Sequence, residues 1–362
     1  MTIKTGKVDN TGRASFQMTR VRARGEDIRR FILEQVEKHP GDVSRVTAGR
    51  FRITRQAVNK HLQRLTAEHA LAESGVTRNR TYKLAPLLEY QKDYEITPEF
   101  AEDLAWTNDI APFLGPVPEN VSDIWHYGFT EMLNNAKDHS GGTTIQIHAI
   151  KTAINTEVYI TDNGVGIFKK IQNALNLLDE RHAVLELSKG KLTTDPKRHT
   201  GEGIFFSSRI FDSYAIASGQ TFFGHRFGQI EDWILEANKL EMGTTVQMKL
   251  SNHTARTVKK IFDQFTSEED YGFNKTVVPV ALAQYGNDKL ISRSQAKRVL
   301  ARVDLFKIVL FDFEKVPTIG QAFADEIFRV FPKEHPQIEI HATHANSEVK
   351  RMIERAKAGA AT

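Results

Sequence analysis

Residues 123–140 read DIWHYGFTEMLNNAKDHS, and the spacing predicts a helix. Glu131, Asn135 and Asp138 stand at i, i+4 and i+7, so a helix places them on one face. Gly128, one turn earlier, leaves room on that face for something to approach. A carboxylate, an amide and a second carboxylate in one stripe suit a magnesium–nucleotide site. An amide oxygen can ligate a hard cation, and a carboxylate near phosphates can orient or deprotonate a water. A solvated polar helix face has the same composition, so this stripe alone decides nothing.

Two further stretches bear on it. ITDNGVGIF, residues 160–168, closes a strand-like run, EVYIT. Asp162 ends that strand and can accept a hydrogen bond from an exocyclic amine such as that of adenine. Gly164 and Gly166 follow at a spacing that permits positive φ and close backbone approach to a ligand. HTGEGIFFSS, residues 199–208, sets Gly201-Glu202-Gly203 before an apolar helical run of Ile204, Phe205 and Ile210. Backbone N–H groups at such a helix start can face phosphates. Neither the dinucleotide fingerprint nor the P-loop pattern is met. A fourth piece, MGTTVQMKL, spans 242–250.

In this order and spacing the four pieces resemble the ATP-binding fold of the gyrase, heat-shock chaperone, histidine kinase and mismatch-repair (GHKL) superfamily, over roughly residues 95–255. Glu131 and Asn135 match its E-x-x-x-N box. The resemblance implies Glu131 as catalytic base and Asn135 as ligand to Mg2+. Asp162, Gly164 and Gly166 match D-x-G-x-G, whose aspartate binds adenine. Gly201, Gly203 and Ser207 match the second glycine box, and Gly243 and Thr244 the G-T pair on the adenine side. With Asp138 these residues form the implied ATP and Mg2+ site. The implied architecture is an α/β sandwich, with ATP between helices and a mobile lid at residues 168–200. Lys189, Lys191, Lys197 and Arg198 of that lid are then expected near phosphates.

Hydrophobic residues make up 40% of the 362, enough for packed cores in two or three domains. The chain has no cysteine, which removes disulfides, thiolate metal sites and a cysteine nucleophile, and fits a reducing cytoplasm. No stretch approaches the ~18 apolar residues of a membrane span, and no signal-peptide run is seen. No membrane association is therefore expected, which argues against a membrane sensor kinase.

Charge is uneven. Residues 1–85 hold 18 Lys and Arg against 8 Asp and Glu, while the rest holds 31 against 37. An anionic partner for the first segment follows. Residues 1–24 read as a flexible basic arm. Residues 25–85 read as three helices and a basic hairpin, an order that resembles a winged helix-turn-helix. Thr54 caps the third helix, RQAVNKHL, whose Arg55, Gln56, Asn59 and Lys60 resemble a recognition surface. Arg78 and Arg80 lie on the wing, suited to phosphate or minor-groove contact. Double-stranded DNA is the implied partner. Winged helices often read half-sites as dimers, so a homodimer is allowed, although no coiled-coil seam is visible.

Residues 86–122 read as a connector, 123–255 as the ATP-binding domain (with a start near 95 allowed), and 256–275 as a polar hinge. His126 lacks the motif of a phospho-accepting histidine and reads as packed. Residues 276–362 alternate strands and helices and resemble the STAS-type module of bacterial anti-sigma antagonists. A protein partner is implied there. The loop that carries a phosphorylatable serine in related modules holds Thr318, Gln321 and Ala322 instead. This STAS-like unit is expected to dock on the ATP-binding domain in one nucleotide state. The expected fold class is multi-domain α+β: an N-terminal winged helix, a central GHKL-type α/β sandwich and a C-terminal small α/β STAS-like domain.

Three functions fit these readings. The first is an ATP-binding, slowly hydrolysing, DNA-binding regulator in the cytoplasm. The second is a serine/threonine protein kinase of the anti-sigma type, acting on a STAS-like partner. The third is an adaptor that binds nucleotide without turnover.

Overall fold

Apolar and polar residues alternate through residues 144–162, and the strands they form bury one face. Ile145, Ile147 and Ala149 in one strand, and Val158 and Ile160 in the next, point into the core. The computed structural model describes residues 12–76, 79–193, 200–228, 232–266, 272–284 and 289–359, with backbone alone at 12–22 and 236–241. It divides into two compact units, Met1–Glu89 with Ile150–Asn155, and Tyr90–Ala149 with Thr156–Thr362.

The first unit contains helices α1 (Gly12–Gln35), α2 (Val43–Phe51) and α3 (Arg55–Ala67) and the antiparallel strands β1 (Leu71–Ser74) and β2 (Thr81–Leu84). Helical periodicity puts Ile28 and Ile32 of α1, with Val36 just past its end, and Val58, Leu62 and Leu65 of α3 into one core. The Thr54 hydroxyl accepts from the Ala57 N–H at 3.2 Å and caps α3, as its sequence position suggests. Residues 12–24, read as an arm, are helical in α1. The run has no proline and extends the amphipathic stretch that follows it.

The second unit begins within β3 (Leu88–Glu95), followed by α4 (Glu102–Ala105) and α5 (Ala111–Leu114), the two helices joined through a wider helical turn at Trp106–Ile110. Residues 86–122, read as a connector, thus supply the edge strand of a sheet. Asp109 fastens it, accepting from Tyr94 Oη at 2.7 Å and Lys92 Nζ at 2.9 Å. Next come α6 (Glu119–His139), β4 (Thr144–Lys151), β5 (Asn155–Asp162), α7 (Ile167–Ala174), α8 (Glu180–Lys189) and α9 (Gly203–Ile210). Strands β6 (Ser213–Arg226) and β7 (Asp232–Ser251) and helix α10 (Val258–Phe262) follow. The five-stranded sheet runs β3-β4-β5-β7-β6, with β6 and β7 antiparallel. Helix α6 buries Ile124, Trp125, Phe129 and Leu133.

The C-terminal region holds β8 (Lys275–Pro279), α11 (Arg293–Leu300), β9 (Ile308–Asp312), α12 (Gln321–Asp325), α13 (Phe331–Glu334), β10 (Glu339–Thr343) and α14 (Ser347–Ala358). Its three strands are parallel, in the order β10-β9-β8. Ser292 and Gln295 form a reciprocal capping box at the start of α11.

One continuous apolar core runs from the five-stranded sheet into this region. Residues 256–275, read as a polar hinge, carry part of it. Phe206 stacks on Phe262 at 3.8 Å between centroids, and Phe205 packs on Phe273 at 4.6 Å. Phe265 and Phe273 are buried. Such aromatic pairs add about 0.5–1.5 kcal/mol each beyond area burial. The acidic run SEED at residues 267–270 of this segment lies outside the described residues. Among the described residues no helix is long and apolar enough to cross a membrane.

Candidate functional site

Four separated stretches of the chain meet at one cleft of ≈ 250 Å³. Helix α6 contributes Glu131 and Asn135, one turn apart on the same face. Asp162 comes from the end of β5, Gly201 and Gly203 from the start of α9, and Thr244 from β7. The walls are apolar, with Met132, Ile160, Ile171 and Val246 among them. A mostly apolar cavity with a few convergent polar groups is the usual form of a small-molecule site.

Strand alternation turns Asp162 inward, where it is 5% exposed. Its Oδ1 accepts from the N–H of Gly164 at 2.9 Å and of Thr244 at 3.3 Å. Burial pushes the carboxyl above its ordinary value, and these donors pull it back. The Thr244 hydroxyl accepts from the Ile167 N–H at 3.0 Å. Gly243, at φ +74°, presses against the Asp162 carbonyl so closely that no Cβ would fit. Glycine is needed there for both reasons.

Helix α9 starts at Gly203, against the carboxylate of Glu131. Gly201, at φ +72°, lies on the backbone of Leu192, whose N–H donates to the Gly201 carbonyl at 3.2 Å. The cleft thus joins two carboxylates to a helix N-terminus, which favours an anion carrying its own cation. Lys170 is the only lysine or arginine among the described lining residues, and its Nζ donates to the His139 carbonyl at 2.6 Å. The sequence reading missed Lys170. The signal was its place one turn after Gly166, at the start of an amphipathic helix.

Other expected residues lie elsewhere. Asp138 is exposed and does not line the cleft. Ser207 is buried within α9, its hydroxyl without a hydrogen bond among the described residues. Gly164 sits against the Ser140 carbonyl, and Gly166, at φ +93°, opens α7 against Ser218. The room that Gly128 leaves is filled by the ring of Phe211, not by a ligand. His126, read as packed, is exposed beside Trp106, 5.0 Å between rings.

Two lid lysines expected near phosphates point the other way. Lys189 is wholly buried. Its Nζ donates to Glu186 Oε1 at 2.6 Å and to the carbonyls of Arg298 and Ala301 at 3.1 and 2.8 Å. Lys191 Nζ donates to the Leu305 carbonyl at 2.9 Å, over the ring of Phe306. Both fasten α8 to the C-terminal region. Thr276 adds a bond from its hydroxyl to the Lys189 carbonyl at 2.6 Å. Lys197 and Arg198 lie outside the described residues.

In the first unit, Arg55, Gln56, Asn59 and Lys60 are all exposed, on the side of α3 away from Val58, Leu62 and Leu65. Arg80 is exposed, 3.5 Å from the Glu73 carboxylate. Arg78 lies outside the described residues. No group of three or more His, Cys, Asp or Glu is placed to hold a metal ion among the described residues. A nucleotide-borne Mg2+ needs only one or two protein oxygens beside phosphates and water, a number that the Asn135 amide oxygen on the cleft wall would meet.

Residues 295–350 match the family described as STAS-like domain of unknown function (DUF4325). The match takes in β9 and β10 and most of the helices around them. Strand β8 precedes it yet completes the same sheet. No curated protein matches the chain.

Proposed function

We propose that this protein is a nucleotide-controlled, DNA-binding regulator that binds ATP with Mg2+ and hydrolyses it slowly. The observation that carries this reading is the convergence of Glu131, Asn135, Asp162, Gly201, Gly203 and Thr244 on one cleft. They come from four stretches far apart in sequence, and the GHKL resemblance assigns each residue a part in one site. Asp162 accepts the adenine amine, Asn135 ligates Mg2+, and the start of α9 faces the phosphates. Glu131 orients or deprotonates the attacking water. The exposed polar face of α3 and the positive charge of residues 1–85 support a winged-helix role on duplex DNA.

A protein kinase is the second reading: residues 295–350 match a STAS-like domain, and the resemblance to anti-sigma antagonists implies a kinase of that type as its counterpart. Calorimetric titration of the full chain with ATP and Mg2+, then turnover with and without duplex DNA, tests both. Asn135→Ala should weaken the magnesium-dependent part of binding. Phosphate transferred to a protein rather than released to water would replace the regulator by the kinase. Binding without either outcome would leave a nucleotide-binding adaptor.

A further inference from the structure

We propose that Arg302, from the STAS-like region, is a positioning residue for the nucleotide cleft, an inference that rests on the nucleotide reading above. Arg302 lines no part of the cleft. Its backbone holds φ +60°, a left-handed conformation that a long side chain keeps only where its surroundings fix it. Its guanidinium fork spans the end of α8. Nη1 donates to Glu186 Oε2 at 3.1 Å, while Nη2 donates to the Gly190 carbonyl at 3.2 Å and to the Lys191 carbonyl.

The next residue, Leu192, lines the cleft and bonds Gly201. That approach is tight, since a Cβ on Gly201 would lie 2.5–2.6 Å from Leu192 backbone atoms. Two residues on, Gly203 begins α9 beside Glu131. A contiguous path of hydrogen bonds and backbone therefore runs from Arg302 to the glycine box. The STAS-like region sets the site without touching its ligand. What matters is the spread of the planar fork: Nη1 meets the carboxylate while Nη2 meets the two carbonyls, whereas a lysine at 302 brings a single nitrogen to one of those two places.

The test uses the full chain with Arg302→Gln and Arg302→Lys. Glu186 keeps Lys189 at 2.6 Å, so neither variant strands a buried carboxylate. Affinity for a non-hydrolysable ATP analogue with Mg2+ is measured beside amide hydrogen exchange at Leu192, whose N–H bonds Gly201, in nucleotide-free protein. Arg302→Gln should weaken the analogue by about 10–100-fold, the usual cost of losing a group that orients a binding residue. Exchange at Leu192 should speed up, with Arg302→Lys in between. Faster exchange in a chain that binds no nucleotide supports the positioning role and rejects the nucleotide reading. Wild-type exchange at Leu192 in either folded variant overturns the proposal.

Discussion

Glu131 on α6 and Gly203 at the start of α9 touch, and the carboxylate Oε2 occupies the place a Cβ on Gly203 would need. Gly203→Ala should therefore displace the carboxylate while leaving α9 intact. A displacement near 1 Å can cost roughly 10²-fold in rate. ATP turnover is expected to fall by about that factor, with affinity changing less. Unchanged turnover in single-turnover kinetics would show that Glu131 does not act from this position.

Burial holds the Asp162 proton more tightly in the folded chain than in the unfolded one. The stability this gives is complete below the unfolded pKa, about 3.9. It is lost as pH rises through the higher folded value. Nucleotide affinity runs the opposite way, because an ionised carboxylate accepts from the adenine amine more strongly than a protonated one. Affinity should fall on acidification at a pH above that of an ordinary aspartate. Asp162→Asn should lose about 1–3 kcal/mol of binding and show no such step. Calorimetry across the acid range gives both results, and identical profiles for the two proteins would reject the assignment.

Lys189 is wholly buried and binds the buried Glu186 carboxylate and the part-buried carbonyls of Arg298 and Ala301. Lys189→Ala leaves Glu186 paired with Arg302 but takes the donor from the Arg298 and Ala301 carbonyls, a change that costs about 1–3 kcal/mol. Urea denaturation should show that loss, whereas Lys169→Ala, at an exposed site, should be near neutral. Equal midpoints for the two variants would contradict the buried clamp.

The exposed face of α3 makes a separate prediction. Arg55→Ala and Lys60→Ala should weaken binding of the full chain to duplex DNA. Each should also lower the salt slope by about 1 for every phosphate that is no longer neutralised. Gln56→Ala should change sequence preference more than affinity. Gel shifts at several salt concentrations separate these effects. If no variant alters binding, the face meets a protein instead.

Much of the fold was legible because local period reports local structure. Alternation marks β4 and β5, the i, i+4 stripe marks α6, and a run of apolar residues marks β9. The capped α3 and its polar face were readable for the same reason. The 256–275 segment was not, because Phe262, Phe265 and Phe273 are spread among polar residues with no single period. Their burial depends on Phe205 and Phe206, more than 50 positions away. The STAS-like region, expected to dock in one nucleotide state, shares its core with the five-stranded sheet.

The sequence by itself determined which residue types could meet a nucleotide and the elements that carry them: Glu131 and Asn135 one turn apart, Asp162 at a strand end, and Gly203 at a helix start. Tertiary structure decided which of the candidates face the cleft. It brought in Lys170, left Asp138 in solvent, placed Ser207 in the core and committed Lys189 to a buried ion pair. The physical reason is that spacing fixes the side of a helix on which a residue lies. What packs against that side is set by long-range packing, which decides whether a lysine meets a phosphate or a buried glutamate.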